Sequence, residues 1–400
     1  MAADGVLIAG AGIGGLTAAL ALGRRGIAVT LLEQAEKLEE AGAGIQLAPN
    51  ATRILAALGL ADRLKAAIIQ PLAIRLRSGP SGREIATMRL DTAAMPHRYG
   101  APYWVIHRAD LQKALIEAIA DEPGITLMLG AMVDNFAVDN TAGVRATVRR
   151  SGAGKAEADY GGAALIGADG LWSRLRALLG DRTAPRFAGR SAFRAIIPAA
   201  QGSPQDREPI INMWMAPEGH LVHYPVRAGA AVNIVAVCGG RWQSPAWNTC
   251  AGRDEVLERF PAAAWAPAAR ELLATPERWQ KWALYDREPS TSWGRGPVTL
   301  LGDAAHPMLP FLAQGAAMAI EDAFVLARDL ARSPGDHIAG LRDYEAARRP
   351  RTAGVQRASR RNDFRFHLRQ PAAFVRDAAL RALGGERLLA QYDWIYQWRP

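Results

Sequence analysis

The opening of the chain most restricts what it can fold into. An apolar run from Val6 to Ala9 reads as a strand, followed by Gly10-Ala11-Gly12-Ile13-Gly14-Gly15 and a helix-forming run to Arg25. Gly10, Gly12 and Gly15 take the three glycine places of a G-x-G-x-x-G turn, and a second strand, Ala28 to Leu32, ends in Glu33, about 20 residues further on. The first glycine of such a turn allows a tight bend, the second lets a pyrophosphate approach the backbone, and the third lets helix pack on strand. The helix N-terminus then offers free N–H groups and a positive dipole end to a diphosphate. Glu33 can accept hydrogen bonds from both hydroxyls of an adenosine ribose and would repel a 2′-phosphate. The segment predicts a βαβ unit that binds an adenine dinucleotide.

Val6 to Leu22 is apolar enough to suggest a signal peptide or a membrane helix. Four glycines interrupt it, however, and Arg24 and Arg25 follow it rather than precede it. No other stretch approaches the roughly 18 to 20 apolar residues of a spanning helix. Cys238 and Cys250 are the only cysteines. They form neither a disulfide framework nor a metal-ligand cluster, so the expectation is a cytoplasmic protein with no metal and no membrane partner. The net charge of +9 comes mostly from arginines scattered among 39 acids. The one dense basic segment, Arg348 to Arg361, has helical spacing and reads as a solvated face, so no nucleic-acid partner is expected. Positive potential would also attract an anionic substrate or a pyridine nucleotide.

Along the chain the pattern alternates between two kinds of element. Helical stretches fall at Ala51 to Leu58, Asp110 to Ala120, Arg253 to Phe260, Ala268 to Leu273, Gly315 to Ala331 and Leu341 to Leu383. Short strand-like pieces fall at Leu72 to Arg77, Tyr103 to Ile106, Thr126 to Leu129, Val144 to Arg149 and Ala163 to Ile166. From Phe187 to Ala283 strands dominate, at Ala192 to Ile197, Ile210 to Met215, Leu221 to Tyr224 and Val232 to Val237. The fold class expected is α/β: a Rossmann-like nucleotide domain, an inserted and mostly antiparallel β-sheet substrate domain, and C-terminal helices. The nucleotide domain is discontinuous, at 1–70, 98–186 and 284–340. The sheet domain takes 71–97 and 187–283, and the helical segment 341–400.

Three further motifs accompany the opening turn. Ala163 to Arg176 contains a strand, the turn Asp169-Gly170, and Ser173-Arg174 before a helix. Val298 to Leu301 is a strand leading into Gly302-Asp303-Ala304-Ala305-His306-Pro307, and a proline-containing loop through Pro310 then reaches Gln314-Gly315 and the next helix. Ile106-His107-Arg108-Ala109-Asp110 places an arginine just before a helix. In this order the four motifs, with the closing Asp393-Trp394-Ile395-Tyr396, resemble the single-component FAD-dependent aromatic hydroxylases, typified by salicylate and hydroxybenzoate hydroxylases, over nearly the whole chain.

The resemblance implies FAD as cofactor and NADH or NADPH as co-substrate. It implies that Asp169 and Gly170 touch FAD and the pyridine-nucleotide path, that Gly302 and Asp303 serve the ribityl or ribose hydroxyls, and that Arg108 contacts the FAD chain. Gly10, Gly12, Gly14, Gly15, Glu33, Gln46, Pro310, Gln314 and Gly315 complete the expected cofactor set. The helix beginning near Gly315 would direct its free N–H groups at the flavin N1–C2=O region. Reduced flavin and dioxygen would give a C4a-hydroperoxide that attacks an electron-rich ring. Pro307 and Pro310 would stiffen the loop beside it, and apolar walls would exclude water.

On the substrate side, Gly219-His220-Leu221-Val222-His223-Tyr224 falls on a strand whose alternation puts His220 and Tyr224 on one face and His223 on the other. Similar His and Tyr pairs in the family sit at the substrate phenol, which makes His220 the candidate base, with Tyr224 beside it. The other reading of His220 is an ordinary strand histidine. His306 reads as structural, and Arg194 is a candidate for holding a substrate carboxylate. Gln46 stands where some relatives have histidine, and Pro310 where certain 3-hydroxybenzoate 6-hydroxylases have glutamine.

The expected activity is hydroxylation of a small phenolic or N-heteroaromatic ring that carries a carboxylate. Carbon dioxide would be lost if the carboxylate occupies the attacked carbon. The expected partners are that ring, dioxygen and NAD(P)H, on a monomer or homodimer. The alternatives are a flavin reductase without oxygen insertion, a hydroxylase or epoxidase of a larger polycyclic or quinone-type substrate, and a non-catalytic flavin-binding regulator.

Overall fold

The computed structural model describes residues 5–38, 43–91, 93–138, 143–151, 157–244 and 246–400. A five-stranded, wholly parallel sheet runs in the spatial order Val298–Leu300, Ala164–Gly167, Val6–Ala9, Val29–Leu32, Ile125–Met128. Its three strands nearest the first are short apolar runs buried almost throughout, as a sheet covered on both faces requires. The helix Ile13–Gly23 covers one face and packs against both Gly315–Arg332 and Arg108–Ala120.

Register explains why motifs far apart in sequence meet. Ala9 pairs with Gly167, and Gly167 pairs with Leu300. The chain therefore leaves three adjacent parallel strands at one edge, through Gly10, through Ala168-Asp169-Gly170 and through Leu301-Gly302-Asp303. Ligands of open α/β sheets bind at such carboxyl ends.

The second sheet has eight strands, ordered Asn248–Gly252, Arg278–Asp286, Arg186–Pro198, Ala231–Gly239, Gly219–Val226, Ile210–Ala216, Ala73–Ser78, Glu84–Arg89. Every pair is antiparallel except Ile210–Ala216 with Ala73–Ser78. Strands that alternation alone did not reveal are Glu84–Arg89, Asn248–Gly252 and Arg278–Asp286. Ala131–Val138, Val144–Arg150 and Glu157–Gly162 form a separate three-stranded meander. Gly44–Leu47 pairs with Trp104–His107 between the large sheets, and the Gly44 N–H donates to Asn233 Oδ1 at 2.7 Å. A Cβ on Gly44 would lie 2.8 Å from the Tyr224 ring, so only glycine lets that strand approach.

The helical stretch expected over Leu341 to Leu383 is two helices, His337–Phe366 and Ala372–Ala390. The expectation of a solvated basic face over Arg348 to Arg361 holds for Arg357 and Arg361, which are exposed, but fails for Arg348, Arg351 and Arg360. Arg348 is 1% exposed, and its guanidinium reaches Glu321 Oε2 and Asp322 Oδ1, each at 2.6 Å. Arg351 binds the same Glu321, and Arg360 pairs with Asp286 and Glu288. The acids that draw Arg348 and Arg351 inward sit mid-helix in Gly315–Arg332, where sequence spacing cannot reveal them. Among the described residues no helix is long and apolar enough to cross a membrane.

Candidate functional site

Two connected cavities lie where the parallel sheet meets the eight-stranded sheet. One, of 690 Å³, runs past Gly10, Gly12, Glu33, Asp169 and Trp172. The other, of 370 Å³, is bounded by Gln46, His220, Tyr224, Gly302, Gly315 and Ala316. Gly12, Arg108, Gly170, Arg194, Asp303 and Pro310 line both, so the two form one continuous cleft.

The glycine turn divides its work. Gly10 has φ +105°, and a Cβ there would lie 2.4 Å from Ala168 O. A Cβ on Gly15 would lie 1.9 Å from Gly10 O, and one on Gly14 2.7 Å from the Leu301 side chain. These three permit close packing. Gly12 differs: a Cβ there meets nothing within 4 Å and would project into the cleft. The helix behind it has no side-chain cap and no acid in its first turn, so its N–H groups are left for an anion. Glu33 is held by two backbone donors, Ala11 N–H at 2.6 Å and Ala35 N–H at 2.9 Å, and its remaining lone pairs face the same cavity. An uncapped N-terminus at one point and a fixed carboxylate at another suit the diphosphate and ribose of an adenine dinucleotide.

Asp169 turns its carboxylate onto the next helix, accepting from Ser173 Oγ at 2.6 Å and Leu175 N–H at 3.1 Å. Burial raises its pKa, with those bonds opposing. Arg176 on that helix is buried and donates to Ala304 O and Ala305 O at 2.8 and 2.9 Å, joining the Asp169-Gly170 motif to the Gly302-Asp303 motif. Asp303 opens onto the cleft, and the surrounding protein pushes its carboxyl up against the pull of His306 and Arg108.

The loop after Asp303 is pinned by one face of the long helix His337–Phe366. Gln356 donates to Pro307 O at 2.8 Å, Ser359 to Leu309 O at 2.6 Å and Asn362 to Phe311 O at 3.1 Å. Pro310 and Gly315 line the cleft, and the helix beginning at Gly315 also lacks a side-chain cap and a first-turn acid. Gln314 faces away, its Oε1 accepting from Asn50 Nδ2 at 3.0 Å. His306 is turned into the core, bonded to Asp322 and tilted against Trp293 at 5.3 Å, as its structural reading anticipated.

His220 and Tyr224 line the smaller cavity together, whereas His223 lies on the opposite face beside Asp206, which it approaches to 3.5 Å. Tyr103 Oη donates to Gln46 Oε1 at 2.8 Å, and Gln46 is also hydrogen-bonded to Tyr224. Gln46 lowers the Tyr224 pKa, so it stabilises the phenolate as a donor through its amide nitrogen, which leaves the Tyr224 O–H to donate elsewhere. Burial pushes the Tyr224 phenol up, with Arg194 and Gln46 opposing. Among the described residues the buried Arg194 Nε has no hydrogen-bond partner, and burial followed by the nearby Arg108 lowers the Arg194 pKa. His220 is buried edge-on against Phe311 and Phe366, and burial, then His367 and Arg190, hold its pKa well below 6.5. That favours the neutral ring, in which one nitrogen is left as a lone pair.

Sequence reasoning did not find Tyr103, Arg176 or the Gln356, Ser359 and Asn362 row. The last three carry a signal in hindsight, because positions three apart share a helix face.

A model of the FAD binding domain matches residues 4–359. The chain is 37% identical over 395 residues to 3-hydroxybenzoate 6-hydroxylase 1 of Aquipseudomonas alcaligenes, covering 98% of this chain and 97% of that one. It is 38% identical over 394 residues to a 3-amino-4-hydroxybenzoate 2-monooxygenase of Streptomyces platensis, covering 98% and 95%. Its structure is similar to that of Klebsiella pneumoniae HpxO complexed with FAD and uric acid, with a TM-score of 0.84 at 26% identity over 97% and 95% of the two chains. The chain belongs to the FAD-binding-domain family, among the single-component FAD-dependent aromatic hydroxylases.

Proposed function

We propose that this protein uses NADH or NADPH, dioxygen and FAD to hydroxylate a single phenolic ring bearing a carboxylate. The observation that carries the reading is the lining of the smaller cavity, where a neutral buried histidine, a free tyrosine O–H and an unpaired arginine Nε converge beside the Gly302–Gly315 loop. A histidine that accepts the phenolic proton makes the ring more electron-rich, which electrophilic oxygen transfer requires. Tyr224 would donate to the ring's oxygen, and Arg194 would hold the carboxylate.

Gly10, Gly12, Glu33, Arg108, Asp169, Gly170, Gly302, Asp303 and Gly315 would hold the cofactor, with Gln46 and Pro310 at its edge. Bound FAD supplies hydride acceptance and oxygen activation. The chain's own part is to orient the ring, remove its proton and exclude water. Dipoles at the N-terminus of Gly315–Arg332 would stabilise negative charge there.

A single ring is favoured by the 370 Å³ volume of the cavity, whose apolar lining includes Val222, Val235, Val237, Met308 and Leu309. The similarity to hydroxybenzoate and aminohydroxybenzoate hydroxylases supports a carboxylated phenol.

The test is nucleotide oxidation by the FAD-loaded protein with hydroxybenzoates, salicylate and hydroxypyridines, each product identified by mass. The expected result is substrate-stimulated oxidation with a product that gains one oxygen, or gains one while losing carbon dioxide. Bound FAD with no ring stimulating oxidation would overturn the reading. His220→Ala is expected to impair hydroxylation of a phenolic ring, and unimpaired turnover would remove His220 from its role.

A further inference from the structure

The ring of His220 has a partner behind it, on the nitrogen opposite the base nitrogen, that the phenol chemistry above does not use. His220 Nδ1 lies 2.8 Å from His367 Nε2, and both rings are buried. His367 Nδ1 lies 2.7 Å from the backbone oxygen of Asp363 and 3.1 Å from its carboxylate.

These contacts fix the direction of every proton. A carbonyl oxygen only accepts, so His367 Nδ1 carries hydrogen. In the neutral ring His367 Nε2 is then an acceptor, so His220 Nδ1 donates to it. His220 Nε2 is left as a lone pair on a ring that lines the cavity. Asp363 is half-buried, at 23% side-chain exposure, and is ion-paired with Arg190.

We propose that His220, His367 and Asp363 form a proton relay from the substrate cavity toward solvent, with His367 and Asp363 as positioning residues for the base. The inference rests on the phenol reading. In the step, the ring's O–H breaks as a bond forms to His220 Nε2, and the His220 Nδ1–H bond breaks as one forms to His367 Nε2. The positive charge comes to rest on His367 beside the Asp363 carboxylate, and the reverse passage returns the proton to the product. Without His367 the charge would stay on His220 between Phe311 and Phe366, where desolvation disfavours it.

The helix explains the placement. Gln356, Ser359, Asp363 and His367 recur at three- and four-residue spacing, so the face that pins the loop at Pro307 to Phe311 also carries the relay. The charged groups around the pair are Asp363 on the same helix, Arg190 on Arg186–Pro198, and the Glu218–Arg369 pair at the start of the His220 strand.

The test uses FAD-loaded protein without reduced nucleotide and 3-hydroxybenzoate as probe. The fraction of bound ring ionised is read from ultraviolet difference spectra across pH. His367→Gln keeps an acceptor for His220 Nδ1–H but cannot hold a proton, so ionisation of the bound ring is expected to fall by about tenfold or more, one pH unit in its midpoint. Asp363→Asn is expected to move the midpoint the same way, and provides the reading should the glutamine variant not fold. Imidazole added to His367→Ala is expected to restore ionisation.

A midpoint equal to that of the wild type in both variants would overturn the relay while leaving the phenol reading intact. A probe that binds un-ionised at every pH in the wild type would remove both. Independently of any probe, nitrogen-15 spectra of the seven histidines are expected to show Nδ1–H tautomers on His220 and His367, and an Nε2–H tautomer on His220 would overturn the relay.

Discussion

Replacing Arg348 by methionine tests how the loop beside the cleft is held. The wild-type guanidinium is 1% exposed and satisfies two carboxylates at once, Glu321 and Asp322, at 2.6 Å each. Asp322 also accepts the Gly302 N–H at 3.1 Å and bonds His306, so the arginine braces the Gly302-Asp303 turn through a shared acid. Burial alone would push the Asp322 carboxyl up, but His306 and Arg348 outweigh it and hold it at about 2, against 3.8 ordinarily. That depression is worth about 2.5 kcal/mol, present above pH ~3.8 and lost as pH falls toward 2. Removing one partner of a buried ion pair costs about 3–5 kcal/mol. With an unfolding entropy of about 2.1 cal/mol/K per residue over this chain, a loss of ~4 kcal/mol lowers Tm by about 5 °C. The assay is thermal unfolding of both proteins from pH 7 to pH 3. The deficit should be largest above pH 4 and shrink below it, as wild-type Asp322 loses its own advantage. Arg348→Met combined with Glu321→Gln and Asp322→Asn should recover part of the loss. A Tm for Arg348→Met equal to that of the wild type across this range would refute the account.

Gly12→Ala should fold normally yet bind FAD at least about tenfold more weakly, because its Cβ enters only open cleft, whereas Gly15→Ala should impair folding itself, its Cβ falling 1.9 Å from Gly10 O. Flavin fluorescence titration and circular dichroism separate the two effects. Arg194→Gln should raise KM for a carboxylated phenol by about tenfold or more and leave a phenol without the carboxylate almost unchanged; equal effects on both rings would argue against a carboxylate anchor. His223, held down to about 4 by burial with Arg77 and Arg75 assisting and Asp206 opposing, leaves the unfolded chain binding more protons below pH 6.5. Stability should therefore fall by up to about 3 kcal/mol between pH 6.5 and 4, and His223→Gln should flatten that limb in denaturant titrations.

The nucleotide-binding half was legible because its signals are local. A strand, a glycine turn and an acid at fixed spacing each follow from backbone geometry, and the later Asp-Gly and Gly-Asp turns each sit at a strand end. What no single stretch states is that Ala9, Gly167 and Leu300 come into register, which is a property of the sheet. His220 and Tyr224 were legible as a pair because alternation is strict on a strand. The partner of His220 was not, since His367 lies 147 residues away on a different element. Arg348 and Arg351 misled for a related reason. Charge patterning assigns them to solvent, but Glu321 and Asp322 are themselves buried and need cations. Gln314 adjoins the cleft in sequence, yet its amide is taken by Asn50.

The central claim is that one oxygen atom from dioxygen enters a carboxylated phenolic ring bound beside His220 and Tyr224. The most direct measurement is turnover of the FAD-loaded protein with NADH or NADPH and the best ring of the panel under oxygen-18 gas, with the product analysed by mass. The account predicts a single oxygen-18 in the product and nucleotide consumption matching product formed. A product carrying oxygen from water, or nucleotide oxidised with the ring returned unchanged and peroxide released in its place, would contradict it.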